Sequence, residues 1–254
     1  MHKLLFLLFL FSPLSIADAL TNRHCLSMYV VVNNSSGFLD SEGEMAGYHV
    51  DFLNELETRS GLCINKKLVP YSRALKGLEY GEYDAGIVAK TNYLTQKVLY
   101  LNKLIISKTV IIPRKGLTLN TYQDLENINI GRFRGVDLNG LLATKLELSL
   151  VDLYSYKHGL KMLKVGRIDA IVGNNLGLSI IPKLGMIEDV NLPGSLVIGS
   201  REVWFVASKR FKDKDKTNLL KAAVKSMIDE GKFDRILAEY FGEGWKMFTQ
   251  QYNE

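Results

Sequence analysis

The chain carries one local pattern twice. Tyr71/Tyr156, Leu75/Leu160, Lys76/Lys161, Leu78/Leu163, Gly81/Gly166, Asp84/Asp169 and Ala85/Ala170 coincide without a gap at an offset of 85 residues. Each copy encodes a short helix, a stop and a strand. Leucines three apart mark the buried stripe of the helix, glycine supplies the left-handed residue that ends it, and Asp-Ala opens an apolar run. Two such units predict two similar α/β lobes with a cleft between them.

The flanking segments extend the alternation. Strands are expected at Leu26–Val32, Ile64–Val69 and Asp84–Ala89, with helices at Asp51–Ser60 and Ser72–Tyr80 between them. Thr109–Pro113 reads as a crossover into the second lobe. That lobe is expected to hold strands at Ile128–Gly131 and Leu150–Tyr154, helices at Leu138–Leu146 and Leu176–Leu184, and the second copy of the repeat. Leu196–Ser200 reads as the return crossing, Val203–Ala207 as a strand, and Leu219–Asp229 and Phe233–Phe241 as closing helices. The fold class is therefore α/β with mainly parallel strands and right-handed crossovers. Residues 20–107 plus 201–254 form the first lobe and 108–200 the second. Two connecting segments make a hinge, which favours closure around a ligand.

The first nineteen residues stand apart from this fold. Lys3, the apolar run Leu4–Leu14 and the small-x-small Ala17-Asp18-Ala19 have the form of a cleavable secretory signal peptide. The run is too short to span a bilayer. The expectation is an exported, periplasmic protein. The leader holds Lys3 and Asp18, so its removal leaves the net charge of +5 unchanged. The charges are interspersed, with no basic block and interleaved aromatics, so nucleic acid is not an expected partner. Cys25 and Cys63 begin the first two strands, whose starts are neighbours in a β-α-β unit. In an oxidising compartment they form either one disulfide or two separate buried thiols.

Ligands of open α/β sheets sit beyond the carboxyl ends of the strands. That rule nominates Asn33–Ser36, Tyr71–Arg73, Ala89–Thr91, Arg132–Asp137 and Gly173–Asn175. Within them Tyr71, Arg73, Thr91, Arg134 and Asn174 are the candidate ligand-binding residues. Tyr71 is either a ligand contact or a core aromatic at a helix start. The arginines of Arg132–Asp137 either build an anion site with backbone N–H groups or lie solvated in an exposed loop. Asn174 ends an apolar strand, where an unsatisfied amide is costly. The four histidines are scattered without metal-ligand spacing, and no phosphate loop, dinucleotide fingerprint or Gly-x-Ser-x-Gly elbow occurs. No metal, cofactor or catalytic residue is expected.

Several blocks in order resemble the bacterial extracellular solute-binding proteins of family three. They are Gly47-Tyr48-His49-Val50-Asp51-Phe52, Leu78/Gly81/Asp84/Ala85, Leu125/Ile130/Gly131, Leu163/Gly166/Asp169/Ala170, Phe205–Lys209 and Met227/Gly231/Lys232. The resemblance implies two Rossmann-like lobes of periplasmic-binding-protein type II, joined by a two-segment hinge. It also implies a monomeric, non-enzymatic receptor that closes on a small polar or anionic solute. Its expected partner is an inner-membrane permease of the ABC type or a sensor. Two alternatives travel with the fold, a cyclohexadienyl-dehydratase-like enzyme and a ligand-presenting module of a membrane kinase. The chain departs from the pattern of amino-acid binders at two points. Thr91–Lys97 contains no arginine for a ligand carboxylate, and Asn174 stands where an aspartate would hold a ligand ammonium. His49 also replaces an acid. A standard amino acid held in the standard way is therefore not expected.

Overall fold

The computed structural model describes residues 25–33, 35–134, 136, 138 and 146–242. The leader, Asn34, Asp137 and most of the helix expected at Leu138–Leu146 lie outside them. The first part of the chain forms β1 (Leu26–Val31), a small hairpin of β2 (Phe38–Leu39) and β3 (Met45–Ala46), and α1 (Tyr48–Ser60). It continues through β4 (Ile64–Val69), α2 (Tyr71–Tyr80), β5 (Ala85–Ala89) and α3 (Asn92–Thr95). The long strand β6 (Val98–Pro113) leads to β7 (Asn129–Phe133), β8 (Ser149–Leu153), α4 (Tyr156–Lys164), β9 (Ala170–Asn174) and α5 (Asn175–Leu178). A second long strand, β10 (Leu196–Ser208), returns the chain to α6 (Lys214–Asp229) and α7 (Lys232–Phe241).

One eight-stranded sheet runs through both lobes in the order β4-β1-β5-β10-β6-β9-β7-β8. Read inward from either edge the connectivity is the same. β4-β1-β5 are parallel and meet an antiparallel crossing strand, and β8-β7-β9 do likewise. The two sequence copies therefore take equivalent places: α2 and β5 in one lobe, α4 and β9 in the other. Gly81 and Gly166, at φ 77° and 71°, supply the left-handed stops.

The crossing strands differ from expectation. Sequence reading begins the crossing at Thr109 and treats Leu196–Ser200 and Val203–Ala207 as separate pieces, yet β6 and β10 are single strands paired along their length. Polar residues such as Lys103, Ser107 and Lys108 mask the strand signal, because the middle of each crossing is not buried on both faces. The pairing is antiparallel, so the sheet is mixed rather than mainly parallel. Ser107 and Arg201, at the expected lobe boundaries, face each other in register. The helix expected over Leu176–Leu184 is broken into α5 and a 3-10 turn at Pro182–Leu184. Pro182 has no N–H to continue it.

The core is divided to match. In the first lobe Phe52, Leu53, Leu56, Phe205 and Phe233 fill one face of the sheet, and Tyr29, Leu78, Tyr83 and Leu94 the other. In the second, Leu160, Leu163, Ile168 and Ile171 form one cluster and Ile111, Leu125 and Ile130 another. Cys25 and Cys63 are joined as a disulfide across a separation of 38 residues, where β1 and β4 begin side by side.

Candidate functional site

A cavity of about 160 Å³ lies where the two lobes meet over the crossing strands. Its walls come from corresponding positions of the repeat. Tyr71, Ile87, Val88 and Ala89 line one side, and Tyr156, Val172, Gly173 and Asn174 line the other. Strand periodicity selects the floor. Side chains alternate across a sheet, so Ile105, Ser107 and Thr109 of β6 face the cavity, as do Arg201 and Val203 of β10. Glu202, between those two, points to the opposite face. There it pairs with Lys103 and Lys90 and accepts a hydrogen bond from Trp204 Nε1. Lys103 first, then Trp204 and Lys90, hold the Glu202 carboxyl down at about 2.

The loop after β1 supplies a second polar surface. Asn33 Oδ1 accepts from the backbone N–H groups of Ser35 and Ser36 at 2.8 and 2.5 Å, while Asn33 Nδ2 donates to Ser36 Oγ. This turn is clasped by α1, because Tyr48 N and His49 N donate to the carbonyls of Ser35 and Ser36. Only glycine fits at residue 47. Its φ is 126°, and a Cβ there would come within 2.4 Å of the Ser36 carbonyl oxygen. Asn33, Ser36, Tyr48 and His49 thereby reach the cavity together.

Burial sets the electrostatics. It pushes His49 down to about 3, so the imidazole is neutral at physiological pH. It raises the phenols of Tyr48, Tyr71 and Tyr156, which remain protonated donors. The facing Tyr48 adds to the rise at Tyr156, and the Arg201 guanidinium opposes the rise at Tyr71. Arg201 is the single formally charged side chain among the described lining residues. At the hinge, Asn175 Oδ1 accepts from Ser107 Oγ and Lys108 N, both at 3.0 Å, tying α5 to β6.

The five candidates from sequence part company here. Tyr71 and Asn174 line the cavity from opposite lobes. Asn174 Oδ1 also accepts from Gly177 N at 2.6 Å and caps α5, so the amide has structural employment at that atom. Arg73 is exposed on α2, Thr91 caps α3 by accepting from Leu94 N, and neither is among the lining residues. Arg134 stands in solvent, with its Nε donating to Asp152 Oδ2 at 2.8 Å. The helical phase of α2 turns Arg73 away from Tyr71, and β7 ends before Arg134 can point inward. The residue that sequence reading passed over is Arg201. Its signal was its place at a lobe boundary, since a crossing strand forms the cleft floor.

Comparisons with known proteins agree on the architecture. The family model described as bacterial extracellular solute-binding proteins, family 3, matches residues 29–243. The arginine-, lysine-, histidine-binding protein ArtJ from Geobacillus stearothermophilus superposes with a TM-score of 0.71 at 18% identity, covering 86% of this chain and 95% of that one. An ancestral arginine-binding protein bound to arginine gives 0.69 at 18% identity, covering 87% and 99%. A histidine kinase sensor domain with similarity to periplasmic binding proteins gives 0.68 at 15%, covering 87% and 97%. A search of curated proteins by sequence gave no match. These likenesses show the fold, that of type II periplasmic binding proteins with two Rossmann-like lobes.

Proposed function

The chain belongs to the bacterial extracellular solute-binding proteins of family 3, and from that premise we propose that it is a periplasmic receptor whose lobes close on one small solute. The observation that carries this reading is the matched lining. Tyr71 and Ala89 of one repeat face Tyr156 and Asn174 of the other, so a solute touching both sets bridges the lobes. Such a ligand binds the closed form better than the open one and shifts the population toward it. A cavity of about 160 Å³ is on the order of the space that accepts a benzene-sized molecule, which suits a single solute rather than a peptide.

No helix among the described residues is long and apolar enough to cross a membrane. Delivery to an ABC permease is the favoured role, and presentation to a sensor kinase is the second, supported by the sensor-domain neighbour. A dehydratase would need an acid–base group against its substrate. The receptor reading predicts binding without turnover. A receptor at a ligand concentration of about 100 Kd gains roughly 2.7 kcal/mol of stability, which thermal melting detects readily. A panel of amino acids, organic acids, polyamines and short peptides should give a melting-temperature rise confined to a few related compounds. A flat panel, or consumption of a prephenate-like compound by the purified protein, would count against the receptor.

A further inference from the structure

The second lobe is fastened to the first by more than the crossing strands. Residues 175–184, which hold α5 and the 3-10 turn, leave the end of β9 beside the hinge. At the start of this segment Asn175 Oδ1 accepts from Ser107 Oγ and Lys108 N of β6. One residue on, Leu176 is 3% exposed and packs into the first-lobe core that contains Phe205, Phe233 and Leu237. Leu178 and Ile181 then enter the second-lobe core with Leu160 and Ile171. At the far end Lys183 Nζ donates to the Tyr240 carbonyl in the last turn of α7, where a cation also suits the negative end of the helix. One short segment thus buries side chains in both lobes at once.

Both ends of the segment meet the cleft lining. At its root Gly173 and Asn174 line the cavity, and Asn174 Oδ1 accepts from Gly177 N inside the segment. At its tip the acceptor residue Tyr240 braces the opposite wall. The Tyr240 hydroxyl donates to Asp51 Oδ2 at 2.5 Å and accepts from Gly47 N at 3.2 Å. Its ring meets that of Tyr48 edge to face, with centroids 6.5 Å apart, and Tyr48 lines the cavity. A change in the angle between the lobes therefore acts on contacts that begin and end beside the solute.

We infer that residues 175–184 are a strap that holds the lobes together, with Leu176 as its anchor in the first lobe and Lys183 as its releasable end. The inference rests on the receptor reading above, because a tie between lobes regulates solute binding only where they open and close. The two attachments differ in kind. Leu176 is inside a close-packed core, which holds it through a small rotation. Lys183 is exposed, and a hydrogen bond that water can replace is modest in net terms. The strap sets the open population. It thereby sets the apparent affinity, because a solute that bridges the lobes must draw them from that population.

Pulsed electron paramagnetic resonance on the solute-free protein tests this. Nitroxide labels go on Lys76→Cys and Lys161→Cys, exposed and equivalent positions of the two repeats. The native cysteines are joined to each other and take no label. Lys183→Met removes one hydrogen bond and should raise the population at longer distances about fivefold. Leu176→Ala removes the anchor and should raise it further. If Leu176→Ala does not fold, Lys183→Met, at an exposed position, decides alone. Unchanged or shorter distances in folded Lys183→Met overturn the strap. No solute enters the measurement, so that result leaves the receptor standing, whereas failure of the receptor reading shows separately in the thermal panel.

Discussion

Serine at both 25 and 63 is expected to destabilise the protein by about 2–4 kcal/mol, lowering its melting temperature by roughly 4–16 °C. The disulfide closes a segment of 38 residues that contains β1, the small hairpin and α1. Without it the unfolded chain regains the freedom that the cross-link denies. The native pairing should survive, because Leu26 N still donates to the Cys63 carbonyl and β1 remains in parallel register with β4. Ligand affinity below the transition should be unchanged. The disulfide sits where β1 begins, whereas Val31 and Asn33 reach the cleft at its other end. Six residues of strand separate the two by roughly 20 Å. Thermal melts of the oxidised native protein and the double variant check this. A difference under 2 °C would show that the cross-link does not constrain the unfolded chain, and a large affinity change would show that the start of β1 is coupled to the cleft at its other end.

Acidification should destabilise the native protein through His49 before the carboxylates contribute. Burial holds its native value near 3 against about 6.5 in an unfolded chain. A native value below the unfolded one means that the unfolded state takes the proton first. The contribution is therefore complete above pH 6.5 and is lost as pH falls from 6.5 toward 3. At pH 5.0 the loss is about 2 kcal/mol relative to pH 7.5, and at pH 3 it is about 4 kcal/mol. The position explains the direction. His49 is in the first turn of α1 and 5% exposed, and a cation there would also oppose the positive end of the helix. Urea titrations at pH 7.5 and 5.0 should show this loss in the native protein and little of it in His49→Gln. The same pH dependence in both proteins would contradict the assignment. At pH 5.0 carboxylates such as Glu55, lowered mainly by Arg59, and Glu57, where burial is outweighed by the bonds from Lys66 and Ile64 N, are still ionised and do not confuse the comparison.

The repeat made the lobes legible because helix, glycine stop and strand each leave a local mark. Leu75, Leu78 and Gly81, like Leu160, Leu163 and Gly166, announce their roles by spacing alone. The crossing strands were harder to read. Val98–Pro113 mixes Lys103, Ser107 and Lys108 with apolar residues, because its middle faces a cleft on one side and solvent on the other. In the site, Tyr71 and Asn174 were accessible by applying the strand-end rule to both copies. Arg73 and Arg134 satisfied the same rule as sequence but not in space. Two residues along a helix turn a side chain by about 200°, and one residue past a strand end suffices to leave the sheet. Arg201 belongs to no motif, and only the pairing of β10 with β6 puts it beneath the cavity. His49 was visible as a departure from an acidic signature position, but its neutrality follows from burial that no spacing reveals.

Hydrogen–deuterium exchange of the native protein, with and without the strongest compound from the thermal panel, tests the central claim directly. Closure on a bridging solute predicts slowed exchange in segments of both lobes and of the floor together: residues 31–36, 71–74, 105–109, 172–177 and 201–203. Protection restricted to one lobe, or lying away from these segments at saturating ligand, would contradict a receptor that closes around its solute.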